Sequence, residues 1–258
     1  MSTPSFKNLL LSRLDAKELA RITPSLEHIP LTAKKVLVEV NSPIEYVYFP
    51  EAGICSLLAV TRKAGPIEVG MMGLEGMTDM LIEVGDISYL RTIVQMAGSA
   101  WRMKAEDFAC SLSHSQPFAR LVLRYKEALA IQFAYSAFAH GTFTIEERLS
   151  RWILMRHDRA QCETFPIVHD FMAAMLAVRR SGVTSAIHTL EGYGAIKSTR
   201  GMITIRDRDK LLDYAGECYG VSERAYQRIM ESKGPSKPAS EGSRHLEPDA
   251  QTSIGRRI

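Results

Sequence analysis

The segment from residue 168 to residue 206 constrains the fold of this chain more than any other part of the sequence. Its apolar spacing predicts a short helix over Val168–Leu176, a tight turn at Ala177-Val178 and a second helix over Arg179–Leu190. Two short helices joined by a brief turn form a helix-turn-helix. We therefore expect this part of the chain to be a compact helical unit.

The second of these helices has one apolar face and one polar face. Val183, Ile187 and Leu190 recur at helical spacing and predict the buried side. A strand signal stands on each side of Ser198-Thr199-Arg200-Gly201, which predicts a β-hairpin with a cation at its tip. Together these elements predict a winged helix. The polar face of the helix carries Arg180, Ser181, Thr184, Ser185 and His188.

Short apolar runs typical of β-strands fill the chain from Leu26 to Met103. Several short strands at regular spacing indicate a sandwich, a roll or a barrel. Ahead of them, Asp15 and Glu18 predict a capped helix that ends at Pro24. The predicted strands are Val36–Val40, Tyr46–Phe49, Ile54–Val60, Ile67–Met71, Leu90–Met96 and Ala100–Met103. The predicted turns between them are Asn41–Pro43, Pro50–Gly53, Lys63–Pro66 and Ala97-Gly98.

The hydrophobic period lengthens after Lys104 and predicts one long helix from about Pro117 to Ala139. Its apolar stripe follows alternating steps of four and three residues, as in a coiled coil. Such a helix beside a β-domain is typical of a dimerisation element; the alternative is that it packs on its own β-domain. A break at His140–Thr142 precedes a new helix capped by Thr144 and Glu147. The stripe consists of Phe118, Val122, Tyr125 and Leu129.

These signals divide the chain into four parts. We expect a β-domain over residues 1–116, a dimerisation helix over 117–140 and a winged helix-turn-helix domain over 141–231. Residues 232–258 lack an apolar period and are predicted to be a disordered tail, dispensable for folding.

Charge and composition exclude several classes of protein. The formal net charge is +3, made up of 0 for residues 1–140, +1 for 141–231 and +2 for 232–258, so nucleic acid would have to be bound by a local patch. The four cysteines are far apart, which predicts reduced thiols, no metal site and no cofactor. No stretch is apolar enough to span a membrane and no secretory signal is evident, so we expect a cytoplasmic protein with no membrane partner.

Three stretches and the order of the domains resemble the Crp/Fnr superfamily of bacterial transcription regulators. The stretches are Val47–Gly53, Val69–Met77 and Met175–Thr184, and the resemblance extends over roughly residues 6–230. It implies an α+β fold: an N-terminal β-roll like a cyclic-nucleotide-binding domain, a long dimerisation helix and a C-terminal winged helix-turn-helix. The implied function is sequence-specific DNA binding as a homodimer on a partly palindromic operator. The β-roll would sense an effector or partner, and RNA polymerase is a further implied partner.

The resemblance also implies roles for individual residues in binding double-stranded DNA. Base edges would be read by Arg180, Ser181 and Ser185, because a guanidinium can bond guanine O6 and N7 together and hydroxyls are short enough to reach bases. Phosphates would be bound by Arg179, Thr184 and Arg200. His188 on the helix and Thr199 in the wing complete the predicted DNA-binding set.

The predicted effector pocket departs from the family pattern. Members that bind cyclic AMP carry a Gly-Glu pair that holds the ribose and an Arg-Ser/Thr-Ala run that holds the phosphate. Here Glu75 precedes Gly76 instead of following it, and Arg91-Thr92 matches the second motif only in part. Met77 stands where the ribose carboxylate is expected. We therefore expect no tight binding of cyclic AMP, and the effector is not identified.

Two other functions compete with this interpretation. The pairs His157-Asp158 and His169-Asp170 are of the kind that metal-dependent phosphohydrolases use, but that chemistry needs further ligands converging on one metal. We therefore predict that the protein is not an enzyme. The second alternative is a β-roll sensory or interaction module that does not read DNA. The arginines at positions 179, 180 and 200 favour DNA binding instead.

Overall fold

The chain folds into an antiparallel β-sheet packed on a long helix, followed by a mostly helical unit with a small second sheet. This computed structural model describes residues 5–63, 65–78, 87–166 and 168–232. The first half comprises α1 (Ala16–Ile22), β1 (Glu27–Leu31), β2 (Val36–Val38), β3 (Tyr46–Thr61), β4 (Gly65–Met72), β5 (Arg91–Lys104), α2 (Ala105–His114) and α3 (Gln116–Thr142). The second half comprises α4 (Ile145–Ala160), β6 (Thr164–Pro166), α5 (His169–Met175), α6 (Arg180–Gly192), β7 (Ile196–Thr199), β8 (Met202–Ile205), α7 (Arg208–Ala215) and α8 (Val221–Glu231).

The larger sheet is built on two long strands, and the α+β fold with an N-terminal β-roll is confirmed. Its strand order is β1-β5-β3-β4, with β2 also paired to β5, and all pairs are antiparallel. The sequence interpretation divided β3 at Pro50–Gly53 and β5 at Ala97-Gly98, and both predicted turns are wrong. The strands run through these points with shifts of register.

Glycine explains why the two strands bend without ending. A Cβ atom on Gly53 would lie 2.6 Å from the carbonyl oxygen of Met96, and one on Gly98 would lie 2.1 Å from that of Ala52. Gly53 also has a φ of +88°, which a residue with a side chain rarely adopts. The glycines therefore mark β-bulges where two backbones approach closely.

The predicted helix starts are confirmed, and one predicted break is displaced. Asp15 accepts a hydrogen bond from the backbone N–H of Glu18 at 2.9 Å and caps α1. Thr144 and Glu147 form the complete capping box of α4. The long helix does not stop at His140, however, because α3 continues to Thr142 and the chain turns at Phe143.

The sequence interpretation proposed that the apolar stripe of α3 faces a second copy of the chain. The structure shows instead that the stripe is buried within its own chain. Phe118, Val122, Tyr125 and Leu129 are at most 3% exposed because they pack on the chain's own sheet. The stripe therefore packs on the β-domain, and a dimer would need another face of α3. The polar residue that continues the stripe is also buried: Gln132 accepts from the N–H of Met71 at 2.7 Å and donates to its carbonyl at 3.2 Å.

The opposite face of α3 is open to solvent and is partly apolar. Leu123 is 66% exposed and Phe138 is 53% exposed. Starting from Leu123, steps of four and three residues lead to Glu127 and then to three small residues, all of them exposed. These residues are Ala130, Ala134 and Ala137.

Two hydrophobic cores share residues across the boundary between the halves. Ile54 and Met71 belong to the sheet but pack into the core of the helical unit. Conversely, α8 packs along α3, and its Met230 lies in the core beneath the sheet. Ser232 is the last described residue, so the rest of the predicted tail lies outside the part that the structure describes.

Gly76 is where the loop after β4 touches α3, and we predict that alanine there is destabilising. A Cβ atom on Gly76 would lie 2.2 Å from the hydroxyl oxygen of Tyr125, which is held by donation to the carbonyl of Met77 at 3.0 Å. Gly76→Ala should lower the free energy of unfolding by about 1–3 kcal/mol. Gly192→Ala is the control, since an added Cβ there meets no atom within 4 Å. Urea unfolding of both variants measures the difference, and equal stabilities would contradict the close contact.

Candidate nucleic-acid interface

The helix-turn-helix and wing predicted from the sequence are confirmed. Helix α6 buries the residues at positions 183, 186, 187 and 190 against the helical unit. A Cβ atom on Gly182 would lie 2.9 Å from the Cδ1 atom of Ile145, so α4 and α6 approach closely at this point. The other face of α6 is consequently turned away from the core.

A buried arginine holds the turn between the two helices of the motif. Ala177 has a φ of +52°, and Val178 donates from its N–H to the carbonyl of Ala173 at 2.9 Å, which closes the turn. The guanidinium of Arg148 donates to the carbonyl of Leu176 and, at 3.2 Å, to that of His140. Arg148 thereby links the end of α3 to the end of α5. Sequence reasoning missed this role, because a charged residue on a helix gives no sign that it will be buried.

The wing is fastened to α6 by one carboxylate. Glu191 accepts a hydrogen bond from the backbone N–H of Ser198 at 2.6 Å. At the tip, Arg200 and Gly201 have φ values of +51° and +76°, as a tight two-residue hairpin turn requires. Thr199 and Arg200 are exposed at this tip. The wing and the outer face of α6 are therefore held in a defined relation.

Most of the predicted DNA-binding residues are exposed, and the structure places them on α6 and on the wing. Arg180 contacts Asp170 at 3.3 Å, but the two side chains are 67% and 68% exposed, so this ion pair is weak. The Nδ1 atom of His188 lies 3.6 Å from Glu191. Lys197 adds an exposed cation that the sequence interpretation did not select. The exposed predicted residues are Arg179, Arg180, Ser181, Ser185, His188, Thr199 and Arg200.

Thr184 is the exception among them. It is half-buried, and its hydroxyl lies 3.2 Å from Nδ1 of His169 and donates to the carbonyl of Arg180 at 3.2 Å. These contacts hold α5 and α6 together. The hydroxyl of Thr184 is therefore engaged within the motif rather than directed to solvent.

The residues of the predicted effector pocket have separate partners. Glu75 binds Arg159 of α4 at 2.7 Å, whereas Arg91 binds Glu39 at 2.9 Å. Gly76 is in contact with Tyr125, and Thr92 is fully buried within β5. The two charged residues of the predicted pocket are thus each paired with a residue outside it. Glu75 instead belongs to the junction between the sheet and the helical unit.

A second carboxylate, Glu68, is buried at the same junction. It accepts from Nε1 of Trp152 on α4 at 3.1 Å and from Nε2 of Gln95 at 2.9 Å. Arg156 of α4 donates to the amide oxygen of Gln95 at 3.1 Å and so joins the network. Burial raises the pKa of Glu68 to about 7, although Ser56, Trp152 and nearby arginines act in the opposite direction.

The histidine pairs considered for catalysis are engaged in structural contacts. Arg208 donates to Nδ1 of His157 and to the carboxylate of Asp158, both at 2.6 Å. His169 contacts Thr184, and Asp170 contacts Arg180, as described above. Across residues 5–63, 65–78, 87–166 and 168–232, no three His, Cys, Asp or Glu side chains are grouped so as to hold a metal ion. Within the same ranges, no helix combines the length and the apolar character that crossing a bilayer requires.

Comparison with known proteins supports the same architecture. Residues 147–214 match the family model of the Crp-like helix-turn-helix domain. FixK2 of Bradyrhizobium japonicum is 16% identical with a TM-score of 0.64, and the similarity covers 74% of this chain and 98% of FixK2. CLP, a c-di-GMP responsive global regulator of Xanthomonas campestris, is 12% identical with a TM-score of 0.62, and the similarity covers 74% and 99%.

A CRP-family transcriptional regulator of Thermus thermophilus is 13% identical with a TM-score of 0.62, and the similarity covers 73% of this chain and 97% of that regulator. No curated protein matches the chain by sequence. The family model thus identifies the helix-turn-helix domain, and the solved structures share the fold over about three quarters of this chain.

We predict that Glu68 makes the stability of the protein fall as pH rises. Its pKa of about 7 in the folded state lies above the usual 4.5, so the folded protein keeps a proton that the unfolded chain loses in this interval. The contribution is complete below pH 4.5 and is lost as pH rises to about 7, by about 3 kcal/mol in total. Glu68→Gln should abolish this part of the pH dependence.

Urea unfolding at a series of pH values tests the prediction, with Glu45→Gln, a change at an exposed glutamate, as the matched control. If the curves of Glu68→Gln and the wild type run parallel from about pH 4.5 to about pH 8, the assignment to Glu68 is wrong.

Proposed function

We propose that this chain, a DNA-binding transcription regulator of the Crp/Fnr type, acts as a homodimer that reads a partly palindromic operator. The observation that carries the proposal is the exposed surface of α6 and the wing, on a domain that matches the Crp-like helix-turn-helix model. An α-helix fits the major groove of B-DNA, where each base pair presents a distinct pattern of donors and acceptors. The alternative, a sensory module that does not read DNA, gives no reason for this set of exposed polar side chains.

The residues that contact base edges lie in the first turns of α6. Arg180 is the first choice, because its guanidinium is exposed and is restrained only by the solvent-exposed contact with Asp170. DNA can replace that contact at low cost, since exposed ion pairs contribute little. Ser181 and Ser185 are also exposed and are short enough to reach a base edge.

The cations at the edge of the α6 and wing surface contact the DNA phosphates. Arg179 and Arg200 are exposed, and their side chains have neither a hydrogen bond nor an ion pair with any other described residue. Lys197 joins them from the wing, and Thr199 and His188 lie on the same surface. Thr184 acts indirectly, because its hydroxyl holds α5 against α6.

The dimer forms through the solvent-exposed face of α3. Leu123, Ala130, Ala134 and Ala137 lie at heptad positions, with the exposed Glu127 at the position between the first two, and small residues let two helices approach closely. The exposed ring of Phe138 extends this apolar face. Two recognition helices related by the dimer axis would then read half-sites about one helical turn, or roughly 10 base pairs, apart.

The β-roll acts as the sensor of an effector or a partner, and RNA polymerase is the partner that a regulator of this type requires. Cyclic AMP is not the effector. Glu75 is held by Arg159 in a largely buried ion pair and Arg91 is paired with Glu39, so each charge already has a partner outside the predicted pocket. Met77, in place of the expected ribose carboxylate, is fully buried.

We predict that Arg180 and Arg200 have separable effects on DNA binding. Arg180→Ala should weaken the specific site by about 1–3 kcal/mol and relax the preference at one position of each half-site. Arg200→Ala should weaken all sequences alike and make the salt dependence shallower, because a phosphate contact releases a counterion without reading a base.

Selection of sites from a random duplex pool, followed by mobility-shift titration at several salt concentrations, measures both effects. Arg62→Ala, which removes an exposed arginine from the β3–β4 turn, is the matched control and should bind as the wild type does. If Arg180→Ala keeps the wild-type base preferences and loses specific and non-specific affinity equally, the assignment of base readout to Arg180 is wrong.

We predict that charge on the exposed face of α3 produces a folded monomer. Leu123→Glu combined with Ala134→Glu would add four carboxylates to a dimer interface that already holds Glu127 of each chain, which should raise the dissociation constant more than about a hundredfold. Charge at Val122 or Leu129 would instead unfold the β-domain, since both are buried. Leu212→Glu, which places charge at an exposed leucine of α7, is the control and should stay dimeric. Sedimentation velocity decides the matter: a monomeric wild type, or a dimeric double variant, contradicts the proposed interface.

A further inference from the structure

A cavity of about 530 Å³ lies between the sheet and the helical unit, outside the DNA-binding surface. Its walls come from the N-terminal segment, the loop that carries Glu75, the middle of α3, the end of α4 and the whole length of α8. We call it the junction cavity. Its volume is in the range of sites for small molecules, which form preferentially where domains meet.

Most of the charge that lines the junction cavity is already paired. Arg159 binds Glu75 at 2.7 Å, and Arg208 binds Asp158 at 2.6 Å. Glu223 caps α8 by accepting from the N–H of Gly220 at 3.0 Å. Because these groups already have partners, they do not require a charged ligand.

Three tyrosines line the cavity, and the hydroxyl group of each already donates a hydrogen bond. Tyr125 donates to the carbonyl of Met77 at 3.0 Å, and Tyr226 donates to the carbonyl of Glu75 at 2.7 Å. Tyr219 donates to the carboxylate of Asp158. Tyr219 also accepts from Arg208 at 3.3 Å, so the acceptor lone pairs that remain are those of Tyr125 and Tyr226. Tyr125 is buried in the core, so the ring faces that can attract a cation or pack on an aromatic group are those of Tyr219 and Tyr226.

Two lining residues of opposite charge have no side-chain partner among the described residues. Arg13 and Glu231 are both exposed and line the junction cavity, and their side chains form neither a hydrogen bond nor an ion pair with any described residue. The lining has three arginines and four carboxylates, so one negative charge is in excess. A ligand with an ammonium group near Glu231 and a carboxylate near Arg13 would complement both charges.

We infer that the junction cavity binds a zwitterionic metabolite with an aromatic body, the chemistry of an aromatic α-amino acid. Its ring packs among the tyrosines, its ammonium group faces Glu231 and its carboxylate faces Arg13. Because Arg13 belongs to the N-terminal segment and Glu231 to α8, the ligand bridges the two halves of the chain. Any effect on transcription rests on the proposed function, whereas binding itself does not.

Calorimetric titration of the full chain without DNA tests the inference. The probes are L-tryptophan, L-tyrosine and L-phenylalanine, followed by the amine and the acid that lack one charged group of the tightest binder. We expect one amino acid to bind and to bind more tightly than both of its analogues. Absence of binding by all three up to the millimolar range, or an analogue that binds as tightly as its parent, overturns the inference.

Two pairs of variants locate the site. Glu231→Gln should weaken binding about tenfold, because it removes a charge-assisted hydrogen bond, whereas Glu217→Gln, at an exposed glutamate outside the cavity, should not. Gln227→Trp fills the cavity from exposed α8 and should abolish binding, and Arg228→Trp, on the same helix but outside the lining, should preserve it. Equal binding by Gln227→Trp and Arg228→Trp overturns the location.

The same samples separate this inference from the proposed function. If the amino acid binds but no duplex does in the mobility-shift assay, the site stands and DNA-binding regulation fails. If operator DNA binds but no amino acid does, DNA-binding regulation stands and the junction-cavity site fails. A ligand that binds only the folded chain also raises Tm with its concentration, which gives an independent measure of its affinity.

Discussion

The two hydrogen bonds between the side chain of Gln132 and the backbone of Met71 set the rotation of α3 about its axis. They place an amide in the middle of an otherwise apolar interface, where an unpaired polar group would cost about 1–3 kcal/mol. Rotating the helix would break both bonds at once. A Cβ atom on Gly70 would lie 2.3 Å from the ring of Phe133, so β4 and α3 are also as close as glycine permits. Which face of α3 is buried, and which is free to meet a second chain, follows from this contact.

The rotation of α3 in turn positions the DNA-binding unit, because α4 begins only three residues after α3 ends. Arg148 and Arg151 of α4 are buried and return to α3, where they donate to the carbonyl of His140 and to the hydroxyl of Ser136. Burying a guanidinium is costly unless its donors are satisfied by acceptors in a fixed geometry. These contacts therefore favour one arrangement of the two helices over others that would leave more of the guanidinium donors without acceptors; here the buried Nε donors of Arg148 and Arg151 lack a partner among the described residues.

Elements whose signals are local could be predicted from the sequence. The capping residues Asp15 and Thr144 mark helix starts, and the apolar spacing around Ile187 defines the recognition helix, because each depends only on neighbours within a few residues. The bulges at Gly53 and Gly98 were mistaken for turns. Glycine permits both, and the choice depends on the carbonyl oxygens of a strand more than forty residues away.

The face of α3 that meets the sheet could not be predicted for a related reason. Its buried stripe follows the same heptad spacing as a dimer seam, so periodicity alone does not say which surface covers it. The exposed seam around Ala134 gives a weaker signal, since alanines contribute little to an apolar pattern. For the candidate site, the residues of α6 followed from local pattern and resemblance. The pairing of Glu75 with Arg159 did not, because it joins segments 84 residues apart.

Helix α8 and the shared hydrophobic cores join the two halves of the chain. Tyr226 of α8 donates to the carbonyl of Glu75, Met230 completes the core beneath the sheet, and Ile54 and Met71 of the sheet complete the core of the helical unit. Each half thus buries apolar surface that the other half supplies. A signal that passes between them must change these shared contacts, because a ligand shifts an equilibrium only by binding one arrangement more tightly than another. The junction that holds Glu75, Arg159 and α8 is where such a difference in binding free energy has the most contacts on which to act.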